Sequence, residues 1–126
     1  MSTAVPLPGV NLSLLVGSLS RAPELRSLPS GDTVLELQLS IRTADGPVES
    51  VPVSWFEPAP SAVGWSTGDV VAVVGRVRRR FFRAAGATAS RTEVVAAVVV
   101  PARRRSAVDK AFAQAVDGLP ASFLHR

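Results

Sequence analysis

Cysteine is absent from the chain, which removes disulfide bridges, thiolate zinc sites and a cysteine nucleophile together. Histidine occurs once, as His125, next to the last residue, a place more typical of a loosely held terminus than of a catalytic base. The sequence has no Walker loop, no metal-ligand cluster and no nucleophile with a base nearby. It is therefore expected to be no enzyme and to need neither metal nor cofactor. The first ten residues, MSTAVPLPGV, lack both a basic stretch and a sustained apolar one, which argues against a secretory signal. The longest apolar run, Val94 to Val100, is far too short to span a bilayer. No membrane partner is expected, and a cytoplasmic location is the default.

What the chain does contain is arginine: every one of its 14 basic residues except Lys110. Against 10 acidic residues they leave a net charge of +4, a value that solubility alone would explain. Their distribution says more than their total. Arg76, Arg78, Arg79, Arg80 and Arg83 fall within eight residues that hold no acid, and Arg103, Arg104 and Arg105 form a second cluster. A length of 126 residues with 47% hydrophobic content suits one domain with a real core. Ten prolines and nine glycines imply many turns, which suit short strands better than long helices.

Three segments alternate with period two, as strands with one buried face do. In TVLELQLSIRT, Leu35, Leu37, Leu39 and Ile41 oppose Glu36, Gln38, Ser40 and Arg42. In ESVPVSWF, Val51, Val53 and Trp55 share a face, and Pro52 hints at an edge or a bulge. In GDVVAVVGRVRRRFFR, Val71, Val73 and Val77 are expected to face the core, with Gly75 as a bend. Two nearly continuous apolar runs, NLSLLVGSLSR and RTEVVAAVVV, read as buried strands. Turn residues at Pro29 to Gly31, Asp45 and Gly46, Gly68 and Asp69, and around Gly86 separate the five. PAPSAVGWSTG, between the third and fourth, has room for one helical turn ending near Gly64. The expectation is an all-β chain of OB-fold class: a five-stranded Greek-key barrel with a short helix between strands three and four. Beyond Pro101 a C-terminal helical extension is expected, capped by Ser106, with Val108, Phe112, Ala115 and Val116 at helical spacing and Gly118 and Pro120 as stops. The corresponding organisation is an arm over residues 1–10, the barrel over 11–101, and a basic linker with a short helix or tail over 102–126.

At this point the residues resemble a known family, the bacterial single-stranded DNA-binding proteins. GSLSRAPELRSLPSGDTVLELQLSIR is similar to the family's opening strand, Pro-Glu-Leu-Arg turn, Pro-Ser-Gly loop and second strand. TGDVVAVVGRVRRRFF resembles its fourth strand, and RTEVVAAVVV its closing one. The resemblance implies a barrel that assembles as a homo-oligomer, usually a tetramer. It also implies sequence-tolerant binding of single-stranded DNA during replication, repair or recombination, in the nucleoid-associated cytoplasm. Family members end in a flexible linker and an acidic tip that recruits other proteins, whereas this sequence ends ASFLHR. Recruitment of repair or replication partners is therefore not expected, as in a specialised or mobile-element member.

Binding single strands without reading sequence needs cations along the phosphates and aromatic faces under the bases. Strand alternation puts Arg76, Arg78, Arg80 and Phe82 on one face if no bulge intervenes, and Phe82 matches the aromatic that ends the family's fourth strand. Trp55 matches the third-strand aromatic if one residue of slack is allowed near Pro52; otherwise Ser54 takes that place. Its alternation with Val51 and Val53 equally suits a core role. Arg21, Arg26 and Arg42 are secondary candidates. Trp65, beside the short helix, is expected in the core, and Phe81 is expected to pack inward or at an interface. The other reading is an OB barrel used for protein interaction or assembly, with little nucleic-acid binding. A stacking groove accepts DNA or RNA unless it senses the 2′-hydroxyl.

Overall fold

The structure, a computed structural model, describes residues 7–123. Its strands are β1 (Ser13–Leu19), β2 (Glu24–Ser27), β3 (Thr33–Arg42), β4 (Val48–Phe56), β5 (Val70–Ala84) and β6 (Ala87–Pro101). A 3-10 turn at Pro60–Gly64 lies between β4 and β5, and the helix α1 (Arg105–Asp117) follows β6. His125 and the first six residues of the expected N-terminal arm lie outside the described residues.

The strand order is β1-β5-β6-β4-β3-β2, and β1 also pairs with β3, so five strands close into a ring while β2 hangs on the edge. Two seams of the ring are short. β1 meets β3 only through Ser18 and Leu19, and β4 meets β6, in parallel, only through Val53 and Ser54. Pro52, one step from that second seam, therefore sits where β4 has β3 on one side and no ladder partner on the other. A residue without an N–H is tolerated there.

The interior follows from alternation. Leu35, Leu37 and Leu39 from β3, Val53 and Trp55 from β4, and Val71 and Val73 from β5 are all buried. Each fully buried Leu or Val contributes on the order of 1.5–3 kcal/mol. In β6 the inward side chains are Val94, Ala96 and then Val99. The change of phase has a visible cause: the β5–β6 register shifts between Val74 and Gly75, whose partners are Val98 and Ala96, leaving Ala97 without a partner. An extra residue in one strand turns the pleat over, which is why the sequence here shows an unbroken apolar run. Gly75 marks the same point. A Cβ on it would collide with the Val95 carbonyl oxygen, so the two strands close up only because that residue is glycine.

Three expectations need correction. The Pro-Glu-Leu-Arg segment extends into a short strand, β2, which adds a sixth strand to the sheet. Val77 does not enter the core but is 47% exposed, because β5 has by then run past the barrel wall. Ser106 does not cap α1: Arg104 occupies the cap position, no side chain bonds there, and Ser106 lies in the first turn.

Candidate nucleic-acid interface

Beyond Gly75, β5 and β6 leave the barrel as a projecting hairpin, paired as far as Ala84 and Ala87. Its two-residue tip, Ala85 and Gly86, has φ of 51° and 79°, the geometry of a turn whose twist matches that of the strands it joins. No register shift occurs past Gly75. Arg78 therefore stands across from Glu93, Arg80 from Arg91, and Phe82 from Ala89, all on one face. Residues 76–95 hold six arginines and one acid, Glu93, so this hairpin carries +5 and the rest of the chain −1.

Where the hairpin springs from the barrel, its face meets the outward residues of β3 and β4 across a groove of about 330 Å³. Arg26, Val34, Phe56, Arg78, Arg80 and Glu93 are among its lining residues. Glu93 organises the cations. Its side chain is 1% exposed, Arg78 Nη2 donates to its Oε2 at 2.5 Å, and the Nε atoms of Arg80 and Arg91 lie 3.8 and 3.9 Å from its oxygens. Ser54 Oγ donates to Oε1 at 3.1 Å. A carboxylate so buried persists only when paired and hydrogen-bonded. Three guanidiniums around one carboxylate leave an excess of two positive charges at the groove mouth. Arg26 is half spent by its own ion pair to Glu36 at 3.0 Å.

Aromatic faces alternate with these cations. The Arg78 guanidinium lies 5.6 Å from the Phe56 ring centroid, and that of Arg80 lies 5.3 Å from the Phe82 ring. A ring with a guanidinium over it gains modestly from the contact; Phe82 is exposed and Phe56 half-buried at the groove. Guanidiniums beside exposed rings are the two ingredients of sequence-tolerant strand binding.

The structure thus brings together Arg26, Arg78 and Arg80, with Phe82 farther out on the same face. Arg76 shares that face but opens into a different hollow, beside Asn11, Val74 and Ala115. Arg21 is exposed in the bend after β1, outside the groove lining. Arg42 pairs with Val48 at the far end of the β3–β4 ladder from the Val34–Phe56 pair, roughly 27 Å away at 3.4 Å per residue. Trp55 points inward. It is 9% exposed and stacks on Trp65 with centroids 6.0 Å apart, so neither face of its ring is open to a base. Trp65 packs against the core, as expected, whereas Phe81 stands 65% exposed.

The sequence reading overlooked three residues here: Phe56, Arg91 and Glu93. Phe56 was within reach, because an inward Trp55 forces its neighbour outward. Arg91 and Glu93 lie in a segment whose apolar run concealed its alternation.

The chain as a whole falls in a known class. Residues 10–101 match the model of the single-strand binding protein family, and the chain belongs to that family, one of DNA-binding proteins without catalytic activity. Its fold is similar to the crystal structure of the wild-type single-stranded DNA binding protein from Thermus aquaticus, with a TM-score of 0.60 and 28% identity. The similarity covers 77% of this chain but only 44% of that one, so this chain spans less than half of its relative's length. No curated protein sequence matches. Among the described residues, no helix is long and apolar enough to cross a membrane.

Proposed function

We propose that this protein binds single-stranded DNA without sequence preference and shields strands exposed in replication, repair or recombination. One observation carries the reading: a single continuous surface, running from the groove along the hairpin, alternates the guanidiniums of Arg78, Arg80 and Arg91 with the rings of Phe56 and Phe82. Phosphates follow the arginines and unpaired bases stack on the rings. Arg26 adds a cation within the groove, Arg76 opens into a separate hollow at the hairpin base, Arg21 lies outside the groove lining, and Arg42 is too far from the groove to share a short strand with it. Trp55 serves the core instead. The Thermus aquaticus relative, named for the same ligand, supports the assignment.

The working unit is a five-stranded Greek-key OB barrel over residues 11–101, with an arm before it and a basic linker and helix after it. Assembly as a homo-oligomer accords with family membership and with an apolar row, Leu14 and Val16 on β1 and Val98 on β6, left 38–46% exposed beside α1. The place of action is the nucleoid-associated cytoplasm.

The direct test is fluorescence anisotropy of a labelled poly-dT of about 35 nucleotides, titrated at several salt concentrations against a duplex of equal length. Tight binding of the single strand that weakens as salt rises, with duplex bound far more weakly, is the expected result. No binding at low salt would leave a barrel used for protein contacts.

A further inference from the structure

The hairpin has a second face that the groove does not touch. Val77, Arg79, Phe81 and Arg83 alternate along it, across from Val94, Thr92, Ser90 and Thr88. Phe81 is 65% exposed, against 36% for Phe82 on the other side. A ring so placed adds little to the barrel's stability. It is held ready all the same: the Arg79 guanidinium lies 5.3 Å from its centroid and is fixed by Nε and Nη2 donating to Ser90 Oγ at 3.2 and 3.0 Å.

The charges of the two faces differ in kind. On the groove side, the buried Glu93 takes up part of the positive charge of three arginines. On this side, among the described residues, neither Arg79 nor Arg83 lies within salt-bridge distance of a carboxylate. Arg83 only folds back, its Nη2 donating to the Gly86 carbonyl oxygen at 3.1 Å. Thr88, Ser90 and Thr92 are exposed beside them, with the Ser90 hydroxyl held by Arg79. A protein partner would want a contiguous apolar centre depleted of charge, and here one ring stands among guanidiniums and hydroxyls. Those are the groups that contact phosphates and sugars, around a ring that stacks a base.

We propose that this face is a second site for the same single strand, with Phe81 stacking a base and Arg79 and Arg83 contacting the flanking phosphates. The strand then passes from the groove around the edge of the hairpin and onto its back, so that one hairpin is gripped from both sides. The inference rests on the single-strand reading above and adds to it a contact set on the opposite face.

Four proteins test it with labelled dT35: wild type, Phe81→Ala, Phe82→Ala, and Phe81→Trp as a reporter. Phe81→Ala is expected to weaken dT35 binding about 5- to 150-fold, as Phe82→Ala does, since each removes one stacked base. The emission added by Phe81→Trp, over the wild-type signal of Trp55 and Trp65, is expected to be quenched by dT35. If Phe81→Ala binds like wild type while Phe82→Ala is impaired, the second site is overturned and single-strand binding stands. If Phe81→Ala changes only the sedimentation of the protein, the ring is a subunit contact and the proposal is again overturned. Failure of the wild type itself to bind dT35 would remove both readings.

Discussion

Ser54 and Glu93 are joined by a hydrogen bond of 3.1 Å that spans one of the two short seams of the barrel, where β4 and β6 pair through only two residues. Both are buried. The bond does two things at once: it ties the ring closed, and it holds the carboxylate around which the groove arginines gather. Ser54→Ala leaves one carboxylate oxygen without its nearest donor, at a cost of about 1–2 kcal/mol. Thermal unfolding followed by circular dichroism should show Tm falling by roughly 3–8 °C.

Arg80 and Arg91 sit at the edge of the carboxylate's reach, whereas Arg78 is its close partner. Removing the outer two spares the buried charge and subtracts phosphate contacts. Arg80→Ala with Arg91→Ala is expected to reduce the slope of log K against log salt by about 1.4, at roughly 0.7 per contact. Anisotropy titrations with dT35 at four or five salt concentrations measure it; an unchanged slope would place the phosphate path elsewhere.

Glu93→Gln should act in the other direction. With the negative charge gone, Arg78 is free to take a phosphate, and the same slope is expected to steepen by about 0.7 while Tm drops.

Trp55 and Phe56 are adjacent in sequence and opposite in consequence. Trp55→Ala empties part of the core and is expected to cost about 3–5 kcal/mol of stability. Phe56→Ala, at a half-buried ring, should lower Tm less than Trp55→Ala does and weaken single-strand binding by about 1–3 kcal/mol. Measuring both quantities on both variants separates packing from stacking, and a reversed pattern would refute the proposed site.

At the hairpin tip, Ala85 holds a φ of 51°, a conformation that alanine adopts at a cost and asparagine more readily. Ala85→Asn is expected to raise stability by about 0.5–1 kcal/mol, read as a Tm increase of a few degrees.

Much of this was legible in the chain. Leu35, Leu37 and Leu39 declare an inward face by alternation alone, and Arg78, Arg80 and Phe82 keep the phase that the sequence assigns them because no bulge follows Gly75. The failures have a common origin. Alternation says which side of a strand a residue occupies, but not whether the barrel still lies on that side. Val77 keeps the core phase and is left half exposed at the barrel's rim. Ala97 erased the pattern in β6 by shifting it one residue, and Glu93 was lost with it. The family's third-strand aromatic was sought at Trp55, one position from the ring that faces out, since a one-residue slip in a strand exchanges inside for outside.

The split of charge between the hairpin and the remainder of the chain makes the molecule a strong electric dipole, with its positive pole at the end of a lever. In the field of a polyanion such a body feels a torque before it feels a contact. It turns hairpin-first while its weakly negative barrel is held off. Encounters are thereby aligned during diffusion, and at low ionic strength the association rate should exceed what a sphere of the same net charge could reach.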